Sequence, residues 1–82
     1  MEIEFTKKAE SLFSKLNPRV QKQIVDDIEK FKRGERIDIK KLQGQDNVFR
    51  VRVGEYRFTM KKLDTNKWLI TYISKRENFY LL

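Results

Sequence analysis

At Gly34 the spacing of the apolar residues changes, and that change narrows the folds open to this chain. Before it, Ala9, Leu12, Phe13 and Leu16, then Val20, Ile24, Ile28 and Phe31, recur every three or four residues. This is the repeat of an amphipathic helix, whose apolar stripe must be buried against another element. After it, residues 48–53 and 56–62 alternate at a period of two, and residues 67–73 are rich in aromatic and β-branched side chains, as strands are. Residues 2–5 alternate too, with Ile3 and Phe5 on one side. The punctuation agrees. Thr6 suits an N-cap, and Asn17-Pro18 suits a restart, because proline at the first helical position gives up no needed hydrogen bond. Asp26 with Lys30, and Glu29 with Arg33, are spaced to pair along the wet side of the second helix. Residues 35–46 read as a polar, irregular connection anchored by Leu42, with Gly44 as a turn residue. The expected fold is α+β over residues 1–82. It has an N-terminal strand, a two-helix antiparallel hairpin and a three-stranded antiparallel meander, with the helices packed on one sheet face.

A chain of 82 residues forms one small domain and buries only roughly 60% of the surface its unfolded form exposes. It has no cysteine, so neither a disulfide framework nor a thiolate metal site is expected. No stretch is apolar enough to span a membrane, and the early acidic residues argue against a signal peptide; the expected compartment is the cytoplasm. Nineteen Lys and Arg against twelve Asp and Glu give a formal charge of +7, which favours a polyanionic partner. Histidine is absent, so any acid–base chemistry must do without imidazole.

If Gly54 and Glu55 are the two residues of a hairpin loop, Val53 lies opposite Tyr56, Arg52 opposite Arg57, Val51 opposite Phe58 and Arg50 opposite Thr59. Alternation then sends Phe49, Val51, Val53, Phe58 and Met60 towards the helices, and Arg50, Arg52 and Arg57 to the other face. Arg52 facing Arg57 is a like-charge pair that weakens a sheet. Three guanidiniums on neighbouring positions of a rigid sheet instead form a fork for phosphate oxygens.

The run LQGQDNVFRVRVGEYRF, residues 42–58, resembles the RelE/ParE toxin superfamily. Leu42 and Gly44 precede the strand Phe49-Arg50-Val51-Arg52, which leads into the hairpin Gly54-Glu55-Tyr56-Arg57. The ending KRENFY, with Arg76 and Tyr80 four apart, is similar to the family's closing Arg-x-x-x-Tyr. The chain departs from the family at Lys75, where histidine is frequent, and it ends two residues after Tyr80, where the family often continues into a short helix.

In the RelE branch the resemblance implies a toxin that cleaves mRNA in the ribosomal A site, by attack of a ribose 2′-hydroxyl on the adjacent phosphate. It implies Arg50, Arg52, Arg57, Arg76 and Tyr80 as catalytic residues, without metal or other cofactor. Arg57 and Arg76 are assigned to charge stabilisation, while general acid and base stay open between Arg50, Arg52 and Tyr80. Tyr80 can alternatively stack on an RNA base. Lys40, Lys41 and Lys75 are expected to extend the RNA footprint, and Trp68 and Tyr72 to serve the core or a partner contact. The implied partners are a RelB-like antitoxin, the ribosome and mRNA. The alternatives are a ParE-type inhibitor of DNA gyrase, which shares the fold, and a catalytically inactive RNA-binding relative.

Overall fold

In a computed structural model, which describes residues 1–75, each helix begins on the residue whose side chain can cap it. The Thr6 hydroxyl accepts from the Ala9 amide at 3.0 Å and starts α1 (Lys7–Ser14). The Asn17 side-chain oxygen accepts from the Val20 amide, also at 3.0 Å, and starts α2 (Pro18–Lys32), with Pro18 in its first turn. Replacing Asn17 with alanine orphans that amide and is expected to lower stability by about 1 kcal/mol, read as a lower urea midpoint at unchanged m-value. The side-chain pairs on α2 differ from the expected set. Lys22 meets Asp26 at 3.2 Å and Lys32 approaches Glu29 at 3.8 Å, whereas Arg33 turns past the helix end to Glu35. Arg33 is the C-cap, so its side chain is free to follow the departing chain.

The strands are β1 (Glu2–Phe5), β2 (Ile39–Lys41), β3 (Val48–Val53), β4 (Tyr56–Asp64) and β5 (Lys67–Lys75), in the spatial order β1-β5-β4-β3-β2. The β3–β4–β5 meander is antiparallel, and β1 joins it by pairing parallel with β5. β2 corrects the sequence reading, which left residues 35–46 irregular. Ile37 and Ile39 alternate with Asp38 and Lys40, and both isoleucines pack against the core, so the segment satisfies the period of a short edge strand. The turn between β3 and β4 places Gly54 at φ 58°, a left-handed conformation that favours glycine. It sets the expected register, with Val53 opposite Tyr56 and Arg52 opposite Arg57.

Both helices lie on one face of the sheet. Ala9 of α1 and Val20, Ile24 and Ile28 of α2 meet Val51, Val53, Phe58, Met60, Trp68, Ile70 and Ile73 in one apolar cluster. Trp68 is core, edge-on to Phe31 at 5.0 Å and tilted against Phe49 at 5.2 Å. Because β3 and β4 alternate, anchoring these apolar residues against the helices forces their neighbours onto the opposite face. No helix among the described residues is long and apolar enough to cross a membrane.

Candidate nucleic-acid interface

The opposite face is built in rows across the sheet. Lys40 pairs with Arg50 and Arg50 with Thr59; in the next row Arg52 pairs with Arg57 and Arg57 with Ser74. Asp38 belongs to the Arg52 row, since its carbonyl accepts from the Arg52 amide at 3.0 Å. Cross-strand partners project to the same side, so Asp38, Lys40, Arg50, Arg52 and Arg57 share one surface.

The three guanidiniums occupy different environments. Arg52 has its side chain 47% exposed and donates from Nε to Asp38 Oδ2 at 2.6 Å. Arg50, with its side chain only 11% exposed, reaches Asp38 Oδ1 from Nη2 at 3.5 Å. Arg57 is 3% exposed, yet among the described residues its buried Nε has no hydrogen-bond partner and its Nη1 makes only a long 3.4 Å bond to the Tyr56 carbonyl. No ion pair holds Arg57 among the described residues. Burying a charged donor without a partner is costly, so such a group in a folded protein calls for an explanation, and an anionic ligand is one.

Asp38 joins the cluster electrostatically. The hydrogen bond from Arg52 holds its carboxyl below the usual range against the opposing effect of desolvation, and the charges of Arg52, Arg50 and Arg57 add to that. The sequence reading missed Asp38. The signal was available in the Ile37-Asp38-Ile39-Lys40 alternation, but a strand of three residues was too short to separate from its polar surroundings.

A cleft of about 560 Å³ opens at the β2 edge, lined by Lys40, Lys41, Leu42, Gln43, Arg50 and Arg52. It brings two of the three expected RNA-contacting lysines beside two of the expected catalytic arginines. Lys75 is not brought there. It pairs with Tyr56, which pairs with Val53, so the register puts Lys75 on the helix side, with its Nζ 5.9 Å from the Tyr56 ring centre. Tyr72 is half-buried beneath Lys8 Nζ, 5.4 Å from its ring centre. Arg76 and Tyr80 lie outside the described residues.

No protein-family model matches this sequence, and no curated protein matches it significantly. Solved structures do match it. A chain of the RelB–RelE antitoxin–toxin complex from Methanococcus jannaschii superposes with TM-score 0.78 at 24% identity, over 93% of both chains. The isolated E. coli RelE toxin superposes with TM-score 0.76 at 20% identity, over 89% of this chain and 81% of that one. This chain has the RelE fold. A chain of the RelBE2 toxin–antitoxin complex from Mycobacterium tuberculosis agrees, with TM-score 0.74 at 25% identity, over 92% of this chain and 90% of that one. In this RelE-like sheet the helix-covered face packs the core, and the opposite face carries the arginines. Fixed guanidiniums bind phosphate oxygens and stabilise charge gathering on them, but they hold their protons too firmly to serve readily as bases.

Proposed function

We propose that this chain is the toxin of a toxin–antitoxin pair and a ribosome-dependent endoribonuclease that cuts mRNA in the A site. The observation that carries this reading is Arg57, a buried guanidinium with an unpartnered Nε on the sheet face opposite the helices, directly across from Arg52 and one row from Arg50. In the proposed reaction a ribose 2′-oxygen bonds to the adjacent phosphorus and the bond to the 5′-oxygen breaks. The 2′-hydroxyl proton leaves to a base and the departing 5′-oxygen takes one from an acid, giving a 2′,3′-cyclic phosphate and a 5′-hydroxyl. Negative charge on the phosphorane exceeds that of the ground state, so guanidiniums aimed at it lower the barrier. Arg57 and Arg76 fill that role. The acid and base come from Arg50, Arg52 and Tyr80, and Lys40 and Lys41 guide the backbone along the cleft.

The solved complexes of similar fold pair RelE with RelB, which supports a RelB-like antitoxin as the partner of this chain. A net charge of +7 makes an acidic partner the complementary one, with fast and salt-sensitive association. Adding the purified chain to mRNA-programmed ribosomes tests the activity. Cleavage within the A-site codon is expected. An intact message, together with inhibition of gyrase supercoiling, would replace this reading with a gyrase inhibitor on the same fold.

A further inference from the structure

Asp38 engages two of the arginines that line the cleft. Its two oxygens are divided between two arginines, with Oδ2 on Arg52 at 2.6 Å and Oδ1 facing Arg50 at 3.5 Å. Both arginines also line the cleft with Lys40 and Lys41. Each guanidinium touches the carboxylate through one nitrogen, although a guanidinium presents five donors in a planar fork. The Asp38 contact therefore leaves donors of the half-exposed Arg52 fork open to a second anion, while Arg50, with its side chain 11% exposed, offers fewer.

We infer that the Asp38 carboxylate is a built-in stand-in for the substrate phosphate. It holds Arg50 and Arg52 towards the cleft and is displaced when a phosphodiester of single-stranded RNA enters. Asp38 thereby sets how tightly the site takes RNA. This inference rests on the proposed reading of the face as an RNA site and names the residue that regulates it.

The exchange is physically easy. Asp38 and Arg52 are each nearly half exposed, at 43% and 47% for their side chains, so breaking their contact returns both to water, and the buried Arg50 exchanges its longer 3.5 Å contact for the entering phosphate. Asp38 is attached by its own backbone, whose carbonyl is bonded to the Arg52 amide, so a displaced carboxylate remains poised to return. Meanwhile Arg57, without an ion-pair partner among the described residues, adds a charge that Asp38 does not neutralise by contact. Like-charge crowding between Arg52 and Arg57 across the strands is thus relieved while the site is empty, and a phosphate can take over that task once bound.

The test uses a fluorescein-labelled 2′-O-methyl hexanucleotide, which binds but has no free 2′-hydroxyl for attack, read by anisotropy over a range of salt. Asp38→Asn is expected to bind it about fivefold more tightly, the equivalent of an exposed ion pair at the top of its usual range. Its slope of log affinity against log salt should steepen by about 0.7, one further phosphate neutralised. In an Arg52→Ala background the gain from Asp38→Asn should fall below about twofold, because the short contact is gone and only the 3.5 Å contact to Arg50 remains. Equal or weaker binding by folded Asp38→Asn overturns the inference, as does an undiminished gain in the Arg52→Ala background. Should Asp38→Asn not fold, the wild-type chain decides. Its Arg52 Nε–H resonance should shift as the same RNA saturates the site, and a resonance that stays put overturns the inference. The readout is binding without cleavage. A chain that shows these effects but never cuts ribosome-bound mRNA loses the nuclease reading alone, and one that cuts but shows no Asp38→Asn gain loses only this inference.

Discussion

Substituting alanine for Arg57 is expected to slow single-turnover mRNA cleavage on the ribosome by about 10²- to 10³-fold while leaving the protein folded. Removing one preorganised donor from a transition-state oxyanion carries that penalty elsewhere, and Arg57 is the guanidinium of this face with no ion-pair partner among the described residues. The stability readout separates a catalytic from a structural role. A buried arginine that holds the fold together through a network lowers stability when it is truncated. Arg57 has an unpartnered Nε and one long bond to its own neighbour's carbonyl, so Arg57→Ala removes a desolvation cost along with the side chain's packing. The urea midpoint should therefore move little. Arg57→Lys should recover only part of the rate, since a single ammonium reproduces the charge but not the planar fork.

The largest effect on stability is expected at the residue beside it. Phe58 is 1% exposed and lies on β4, the central strand of the sheet, paired with Val51 on one side and Ile73 on the other. Phe58→Ala should cost about 3–5 kcal/mol, the loss of apolar transfer plus the cavity left behind. Small domains have only about 5–15 kcal/mol in total, so this variant should melt far lower or be partly unfolded at 25 °C. Thermal denaturation followed by circular dichroism measures it. Phe58→Leu, which fills most of the same space, should keep the fold. The two adjacent positions thus predict opposite phenotypes. At Arg57 the rate falls and the fold stays, and at Phe58 the fold goes and takes the rate with it.

That contrast was already written in the alternation of β3 and β4. The period-two pattern through Phe49, Val51 and Val53, with a glycine turn at Gly54, was sufficient to derive the hairpin register and hence the neighbourhood of Arg50, Arg52 and Arg57. The helices were legible from their stripes and from Thr6 and Asn17 as caps. What escaped depended on non-local pairing. β2 has three residues, too few for periodicity to mark, and it exists because β3 offers an edge and Ile37 and Ile39 find the core. Asp38 was missed with it, so the sequence showed three like charges and not the carboxylate that sits between two of them. The face on which Lys75 lies was not legible for a related reason. A register shift in the β4–β5 pairing between Thr59 and Met60 changes which β5 residues share a face, and composition gives no notice of a bulge. On α2, expected pairs gave way to others three or four residues apart because exposed lysines and carboxylates have several partners within reach at similar energy.

One carboxylate among three guanidiniums leaves the face cationic, and the lysines of the cleft add to it. In the proposed reaction this face brings a phosphodiester into line with its own neighbouring 2′-hydroxyl. The direct measurement is cleavage of two ribosome-bound messages that differ only in the ribose 5′ to the scissile phosphate in the A site, one natural and one 2′-deoxy. The natural message should be cut to a 2′,3′-cyclic phosphate and the deoxy message should stay whole. Cutting of both at comparable rates, or of neither, would contradict that reaction.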